Sequence, residues 1–201
     1  MLDGVLKKRV DPPMNRLAGV LCRRGVGANS VTVAGLVLGL AAAAAIAFGS
    51  LWGGLVLILV SRLADGLDGA VARQTGPTDL GGYLDIVFDY VFYGAIPLAF
   101  AILDPAANGL AAAVLLMSFY ANGASFLAFA IMAEKRKLAT EQRGKKSLFF
   151  TTGLAEATET IAAFVLFCLF PQYFVVIAYV FAAMTTWTFV SRIRLSLKSF
   201  G

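Results

Sequence analysis

Apolar residues form six long and nearly unbroken stretches along the chain, and this pattern predicts six helices. Each stretch is roughly 20 residues or longer, enough for a helix to cross the roughly 30 Å hydrocarbon core of a bilayer. The stretches are residues 30–48, 52–73, 80–103, 108–133, 147–169 and 172–193. Continuous runs of this kind argue against a barrel of short alternating strands. The sequence therefore predicts an all-α integral membrane protein with six transmembrane helices.

Residues 1–27 have a different pattern, in which basic residues alternate with apolar ones. We expect part of this segment to form an amphipathic juxtamembrane helix on the cytoplasmic side, beginning after Pro12 and Pro13. A frayed basic leader is the alternative. The chain then divides into a cytoplasmic basic leader, residues 1–27, and a six-helix transmembrane domain, residues 28–201.

The composition agrees with a membrane protein, because 59% of the residues are hydrophobic and the mean hydropathy is +0.80. The first apolar stretch is long enough to span the membrane and follows a basic leader without a convincing cleavage site. We therefore expect it to remain as an anchor and not to be removed as a signal peptide. The net charge of +5 is concentrated beside the predicted spans, which favours lipid headgroups over nucleic acid.

The positions of the basic residues predict the orientation. The leader holds six Lys and Arg residues and the segment 134–146 holds six more. Three predicted loops hold none, namely residues 49–51, 104–107 and 170–172. By the positive-inside rule, both termini and the turn at residues 74–79 face the cytoplasm. This orientation predicts a multi-pass protein of the inner (cytoplasmic) membrane.

Four aspartates interrupt the apolar pattern between the second and third stretches. Asp65 and Asp68 are three residues apart, and Asp85 and Asp89 are four apart, so each pair lies on one helix face. The Gly-Pro dipeptide at 76–77 breaks the helix and folds the second pair toward the first. Carboxylates that face one another inside a membrane require a compensating cation. Because the chain has no histidine, oxygen ligands favour Mg²⁺ or Mn²⁺ over zinc.

The same segment offers groups for a phosphate. Arg73 supplies a fixed fork of N–H donors, and glycines beside the aspartates let a bulky ligand approach the backbone. Divalent ions together with an arginine suit a pyrophosphate substrate. Asp65 and Asp89 lie on the order of 12 to 14 Å inside their helix ends. The sequence therefore predicts a cavity that opens toward the cytosol.

The pattern D-x-x-D-G-x-x-A-R, followed after seven residues by G-x-x-x-D-x-x-x-D, resembles the signature of the CDP-alcohol phosphotransferases. The matching residues are Asp65, Asp68, Gly69, Ala72, Arg73, Gly81, Asp85 and Asp89. The resemblance implies a six-helix enzyme that transfers the substituted phosphate of a CDP-linked substrate to an alcohol and releases CMP. The usual donor in this family is CDP-diacylglycerol, and its members are usually homodimers.

The resemblance also suggests roles for individual residues. Asp65, Asp68 and Asp85 would hold a first Mg²⁺ or Mn²⁺ ion, and Asp89 would share a second ion and act as the general base. Four further residues of the signature would contact the nucleotide and its pyrophosphate, namely Gly69, Ala72, Arg73 and Gly81.

The segment GANSVT, at residues 27–32, is similar to the P-N-x-x-T stretch of the family. This similarity places Asn29 and Thr32 near the nucleotide end of the site. The alternative is that the asparagine or its neighbouring serine caps the first membrane helix.

The acceptor alcohol is not readable from the sequence. Lys146 and Arg192 are available to bind glycerol 3-phosphate or an inositol phosphate, and Glu156 is available to bind an amino alcohol such as serine. The stretch TTGLAEATETI departs from the glycine-leucine-proline stretch of phosphatidylserine-synthase-like members, which weakens a serine assignment.

Other classes of protein remain open at this stage. A prenyltransferase also binds pyrophosphate through aspartates, but usually through D-D-x-x-D-like clusters. A transporter or channel with an intramembrane cation site is the non-enzymatic alternative, and transfer from a different CDP-linked alcohol is a further one. Metal-dependent release of CMP would separate the first two from the main hypothesis.

Overall fold

The structure is a computed structural model that describes residues 3–136 and 157–201, with side chains from residue 12 onward. These residues form α-helices, one short 3-10 helix and no strand. The helices are α1 (Asp3–Arg23), α2 (Ala28–Ala47), α3 (Leu51–Thr75), α4 (Asp79–Leu103), α5 (Pro105–Lys135), α6 (Ala157–Leu169), the 3-10 helix Pro171–Tyr173, and α7 (Phe174–Phe200). The predicted all-α fold is confirmed for this part of the chain.

Among the described residues, four segments are long and apolar enough to cross a membrane: α2, α4, α5, and the 3-10 helix together with α7. Helix α3 has 25 residues but carries four charged residues between positions 62 and 73. The described part of α6 has 13 residues, and the rest of the fifth predicted span lies outside the described residues. The chain is therefore a multi-pass membrane protein, and the count of six spans stays a prediction.

Helix α1 begins at Asp3, so the predicted start after Pro12 and Pro13 is wrong. Both prolines lie inside the helix, although each ring removes an N–H donor and crowds the preceding turn. The second half of α1 packs against α3, where Ala18 is fully buried in a small apolar cluster with Ala70 and Val71. Its position on a membrane surface stays a prediction.

Helix α2 packs against both α3 and α4 and so holds the two aspartate-bearing helices together. Small residues allow the close approach. A Cβ atom at Gly39 would lie 2.6 Å from Cδ2 of Phe92, and Ser61 Oγ donates a 2.7 Å hydrogen bond to the carbonyl oxygen of Gly35. These contacts of α2 fix the positions of α3 and α4 relative to each other.

The predicted helix break at Gly76 and Pro77 is confirmed. Helix α3 ends at Thr75, and Gly76 has a φ of +98°, a value that glycine adopts at little cost. Thr78 caps α4, since its Oγ1 accepts a 3.0 Å hydrogen bond from the Gly81 amide. This short connection turns the chain back so that the second aspartate pair faces the first.

Aromatic residues fill the part of the bundle that lies beyond the aspartates. Phe100 stacks on Phe174 with ring centroids 4.8 Å apart, and Phe167 contacts both rings. Phe92 joins this core to the site through an edge contact with Phe164. The polar site is therefore built against a rigid apolar core at one end of α4.

Candidate active site

Three of the four aspartates come together in the cleft. Asp65, Asp68 and Asp85 each offer one carboxylate oxygen, and these three oxygens lie within 4.8 Å of one another. Asp65 and Asp68 share one face of α3, and Asp85 reaches them from the second turn of α4. We call these three residues the aspartate triad.

The triad fits a hard divalent cation. All of its donors are carboxylate oxygens, the ligand type that Mg²⁺ and Mn²⁺ prefer. Asp68 is only 6% exposed, and its Oδ2 is buried without a hydrogen-bond partner among the described residues. An orphaned carboxylate oxygen beside two other carboxylates is costly unless a cation binds there. The residues present therefore match the expected metal chemistry.

The start of α2 borders the triad. Thr32 is buried, and its hydroxyl donates a 3.0 Å hydrogen bond to the Ala28 carbonyl. The Thr32 side chain also interacts with the Asp68 carboxylate. Asn29 Oδ1 lies 3.1 Å from the position that a Cβ of Gly81 would take. The capping alternative is wrong, because α2 begins at Ala28 after Gly27 and has no side-chain cap.

Arg73 lies at the open end of the cleft. Its side chain is exposed, and its Nη1 is 3.5 Å from the position of a Cβ at Gly69. Ala72, the preceding residue, is half-buried. The guanidinium thus folds along the glycine face of α3 and remains accessible to a ligand from outside.

Asp89 has a different partner from the other three aspartates. Its Oδ1 accepts a 2.6 Å hydrogen bond from Arg62 Nη1, and the same nitrogen is 3.4 Å from Asp65 Oδ1. The structure thus groups three of the four predicted metal ligands and joins the fourth to an arginine.

Arg62 is the residue that the sequence reasoning missed. Its side chain is 10% exposed, and its guanidinium lies 3.9 Å from the centre of the Phe92 ring. Nη2 donates to Ser61 Oγ at 3.2 Å, and Tyr93 is a further hydrogen-bond neighbour. The sequence did contain a signal, because an arginine inside an apolar helix requires a buried partner. Arg62 contributed to the net charge but was not considered as a site residue.

Of the predicted acceptor residues, Arg192 is described. Its Nη1 donates to three atoms of α5: the Asn122 carbonyl oxygen at 2.9 Å, Asn122 Oδ1 at 2.7 Å and Ser125 Oγ at 2.9 Å. The guanidinium also interacts electrostatically with Tyr90, the residue after Asp89. Lys146 and Glu156 lie outside the described residues.

Comparison with known proteins agrees with this site. Residues 26–190 match the family model described as CDP-alcohol phosphatidyltransferase. The chain therefore belongs to the CDP-alcohol phosphatidyltransferase family, whose members transfer substituted phosphate groups in phospholipid synthesis.

Particular relatives are known from sequence and from structure. Inner membrane protein YnjF of Escherichia coli (strain K12) is 43% identical over 99% of this chain and 98% of its own length. Archaetidylinositol phosphate synthase of Methanothermobacter thermautotrophicus is 38% identical over 46% of this chain and 44% of its own length.

The fold is similar to that of phosphatidylinositol phosphate synthase from Mycobacterium tuberculosis. Its manganese and citrate complex superimposes with a TM-score of 0.72 at 22% identity, covering 94% of this chain and 90% of that one. Its complex with CDP-DAG gives a TM-score of 0.67 at 23% identity, covering 90% and 92%. At this level of identity the likeness establishes the shared fold.

Proposed function

We propose that this protein transfers the phosphatidyl group of CDP-diacylglycerol to a small hydroxyl acceptor and releases CMP. The observation that carries the proposal is the aspartate triad, with a fourth carboxylate, Asp89, one helical turn further along α4. The solved relative with CDP-DAG bound supports the choice of donor. Family membership favours this reaction over cation transport and over prenyl transfer.

The triad would hold Mg²⁺ or Mn²⁺ through Asp65, Asp68 and Asp85. When bound, such an ion neutralises the pyrophosphate and the charge that develops on the departing CMP. The manganese complex of the solved relative supports a divalent ion of this kind. A second ion shared by Asp89 is the sequence-based expectation, and the position of Arg62 disfavours it.

Asp89 is the proposed general base. The acceptor oxygen forms a new bond to the phosphorus of the phosphatidyl group while the bond from that phosphorus to the bridging oxygen of CMP breaks. The hydroxyl proton of the acceptor passes to the Asp89 carboxylate. Arg62 engages Oδ1, which leaves Oδ2 as the atom that accepts the proton.

The nucleotide end of the substrate would lie where α2 meets the α3–α4 hairpin. Arg73 supplies N–H donors to a phosphate oxygen at the open end of the cleft. Asn29 and Thr32 supply polar groups from α2, while small residues of the signature, Gly69, Ala72 and Gly81, leave room for the pyrophosphate.

A phosphorylated acceptor, such as glycerol 3-phosphate or an inositol phosphate, is the acceptor class that we favour. Three hydrogen bonds fix Arg192 in one orientation close to Tyr90 and hence to Asp89. A fixed guanidinium suits recognition of a phosphate. Lys146 would add a second cation, whereas an amino alcohol would instead use Glu156. The relation to an archaetidylinositol phosphate synthase supports the phosphorylated class.

The orientation and assembly follow from the sequence-based expectations. We expect six transmembrane helices, an inner-membrane location, both termini in the cytoplasm and a site that faces the cytosol, in a homodimer. The inner-membrane relative supports the location. Accessibility of single cysteines placed at each predicted loop to a membrane-impermeant reagent tests the orientation. Size analysis of the purified protein tests the dimer.

The decisive experiment measures CMP release by the purified protein in nanodiscs with CDP-diacylglycerol and Mg²⁺. The acceptor panel holds glycerol 3-phosphate, inositol, an inositol phosphate, serine and other amino alcohols. We expect one phosphorylated acceptor to stimulate release and Asp89→Asn to abolish it. Asp104→Asn is the matched control, because Asp104 caps α5 and asparagine caps equally well. The proposal is overturned if the folded, metal-loaded protein releases no CMP from any CDP-linked donor, whichever acceptor is added.

A further inference from the structure

The negative charges of the four carboxylates are not balanced equally by positively charged side chains. Asp89 has Arg62 Nη1 at 2.6 Å, and the same nitrogen is 3.4 Å from Asp65, whereas no ion pair joins Asp68 or Asp85 to a cation among the described residues. A guanidinium is charged at every accessible pH, so this compensation is permanent. Asp89 therefore has no electrostatic need of a metal ion, while the triad has.

The position of Arg62 is the place that a second ion would need. Nη1 lies 2.6 Å from Asp89 Oδ1 and 3.4 Å from Asp65 Oδ1, so it occupies the space between these two oxygens of α4 and α3. A divalent cation bound there would lie in contact with the guanidinium, and two cations at that distance repel each other. Binding of a second ion therefore requires Arg62 to leave.

Arg62 is held in place from three helices. Phe92 of α4 lies under the guanidinium plane, and Ser61 of α3 links Nη2 to the Gly35 carbonyl of α2. Arg62 also lies 13 residues from the end of α3, about 20 Å at the helical rise, which is farther than its side chain extends. Moving the guanidinium away from Asp89 and Asp65 would thus leave a largely buried charge without its partners.

We propose that Arg62 is a built-in cation that takes the place of a second metal ion, so that the wild-type site binds a single divalent ion at the triad. The inference rests on the proposed metal function of the triad. Its chemical consequence is that Asp89 is fixed and neutralised by the protein itself. Arg62 is accordingly a positioning residue that acts through Asp89.

The test counts bound Mn²⁺ ions on the purified protein in nanodiscs, without substrates, from the electron paramagnetic resonance signal of free Mn²⁺. We expect one ion on the wild type and two on Arg62→Met, because methionine keeps an apolar chain of similar length and leaves Asp65 and Asp89 uncompensated. Arg62→Lys should bind one, since lysine retains the charge. Arg194→Met is the matched control and should bind one, because Arg194 lies over Trp187 on α7.

The outcomes separate this inference from the proposed function. Two ions on the wild type, together with normal CMP release, overturn the role of Arg62 and leave the transfer reaction intact. One ion on folded Arg62→Met also overturns it. No ion on a wild type that releases no CMP overturns both. If Arg62→Met fails to fold, Asp89→Asn provides the test. The number of bound Mn²⁺ ions should stay at one, because Asp89 is not a metal ligand under this inference. Loss of an ion in this variant contradicts the inference.

Discussion

Single residues of this site differ in what surrounds them, and Asp68 is the clearest case. It is the most buried member of the triad, and its Oδ2 has no hydrogen-bond partner among the described residues. Because Asp68 is the most buried of the three proposed ligands, we expect its loss to have the largest effect on metal binding.

Asp68→Asn should therefore abolish Mn²⁺ binding and lower CMP release at least about 100-fold. Loss of an outer-shell partner already costs roughly 10- to 100-fold, and a direct ligand costs as much or more. Asp79→Asn is the control, because Asp79 is exposed in the first turn of α4 and outside the triad. Retention of metal affinity by Asp68→Asn would show that the triad is not the metal site.

Two arginines tie α5 to α7, and only one of them lies near Asp89. Arg136 donates to the Ser199 and Phe200 carbonyls at the end of α7, while Arg192 donates to Asn122 and Ser125. Comparing variants of the two arginines therefore distinguishes a role of Arg192 in acceptor binding from a role in joining α5 to α7.

Arg192→Met should raise the KM for a phosphorylated acceptor about 10-fold or more, a loss of roughly 1.4 kcal/mol or more, and leave the KM for CDP-diacylglycerol unchanged. Arg136→Met is the matched control and should change neither KM. Equal effects of both variants on thermal stability, with no effect of Arg192→Met on acceptor KM, would assign Arg192 to helix packing alone.

At the scale of elements, the close contact between α4 and α5 depends on Gly123, which has no side chain. A Cβ at Gly123 would lie 2.8 Å from the hydroxyl oxygen of Tyr90 and 2.9 Å from its Cζ. The ring of Tyr90 thus packs on the bare backbone of α5, one residue after Asp89. Gly109, on the same helix, has nothing within 4 Å of its Cβ position.

Gly123→Ala should push Tyr90 away from α5, destabilise the protein by about 1 to 3 kcal/mol and reduce CMP release. Gly109→Ala should be neutral or stabilise by up to about 1 kcal/mol, because alanine is the better helix former. Thermal unfolding in detergent and initial rates measure both. Equal stabilities of the two variants would contradict the close packing.

Helix α1 adds an element-scale connection to the signature segment. Gln74 Nε2 donates a 2.9 Å hydrogen bond to the Asn15 carbonyl, and Met14 Cε lies 3.3 Å from the Cβ position of Gly66. Helix α1 therefore contacts the outer side of the turn of α3 that carries Asp65 and Asp68. The leader is part of the packing around the site.

At the scale of the whole molecule, metal binding and stability are linked. A ligand that binds only the folded state at 100 times its Kd stabilises that state by about 2.7 kcal/mol. Three carboxylates within 4.8 Å destabilise the metal-free fold through repulsion. Adding Mn²⁺ should therefore raise the Tm of the wild type, and EDTA should lower it again. Asp68→Asn should show no such shift and should equal or exceed the wild-type Tm in EDTA. A Tm shift of wild-type size in this variant would contradict the link.

Much of the fold could be predicted because its causes are local. Long apolar runs define membrane helices, and the glycine at 76 with the proline at 77 breaks α3 from α4 at the predicted place. The start of α1 was not predictable from its prolines, because tolerance of proline in a helix depends on the surrounding turn and its packing. The site was predictable in its residue types and spacing, since Asp65, Asp68 and Asp85 meet through the periodicity of two helices.

The sequence by itself determined the class of fold, the helical hairpin and the family chemistry, because hydropathy, helix breakers and the aspartate signature act within about 25 residues of chain. Only the tertiary structure decided which carboxylates lie together and which one pairs with Arg62. Arg62 and Asp89 are 27 residues apart and meet because α2, through Gly35 and Gly39, allows Ser61 and Phe92 to fix the guanidinium between them. That pairing depends on how three helices pack in space, and the local pattern of any one helix does not contain it.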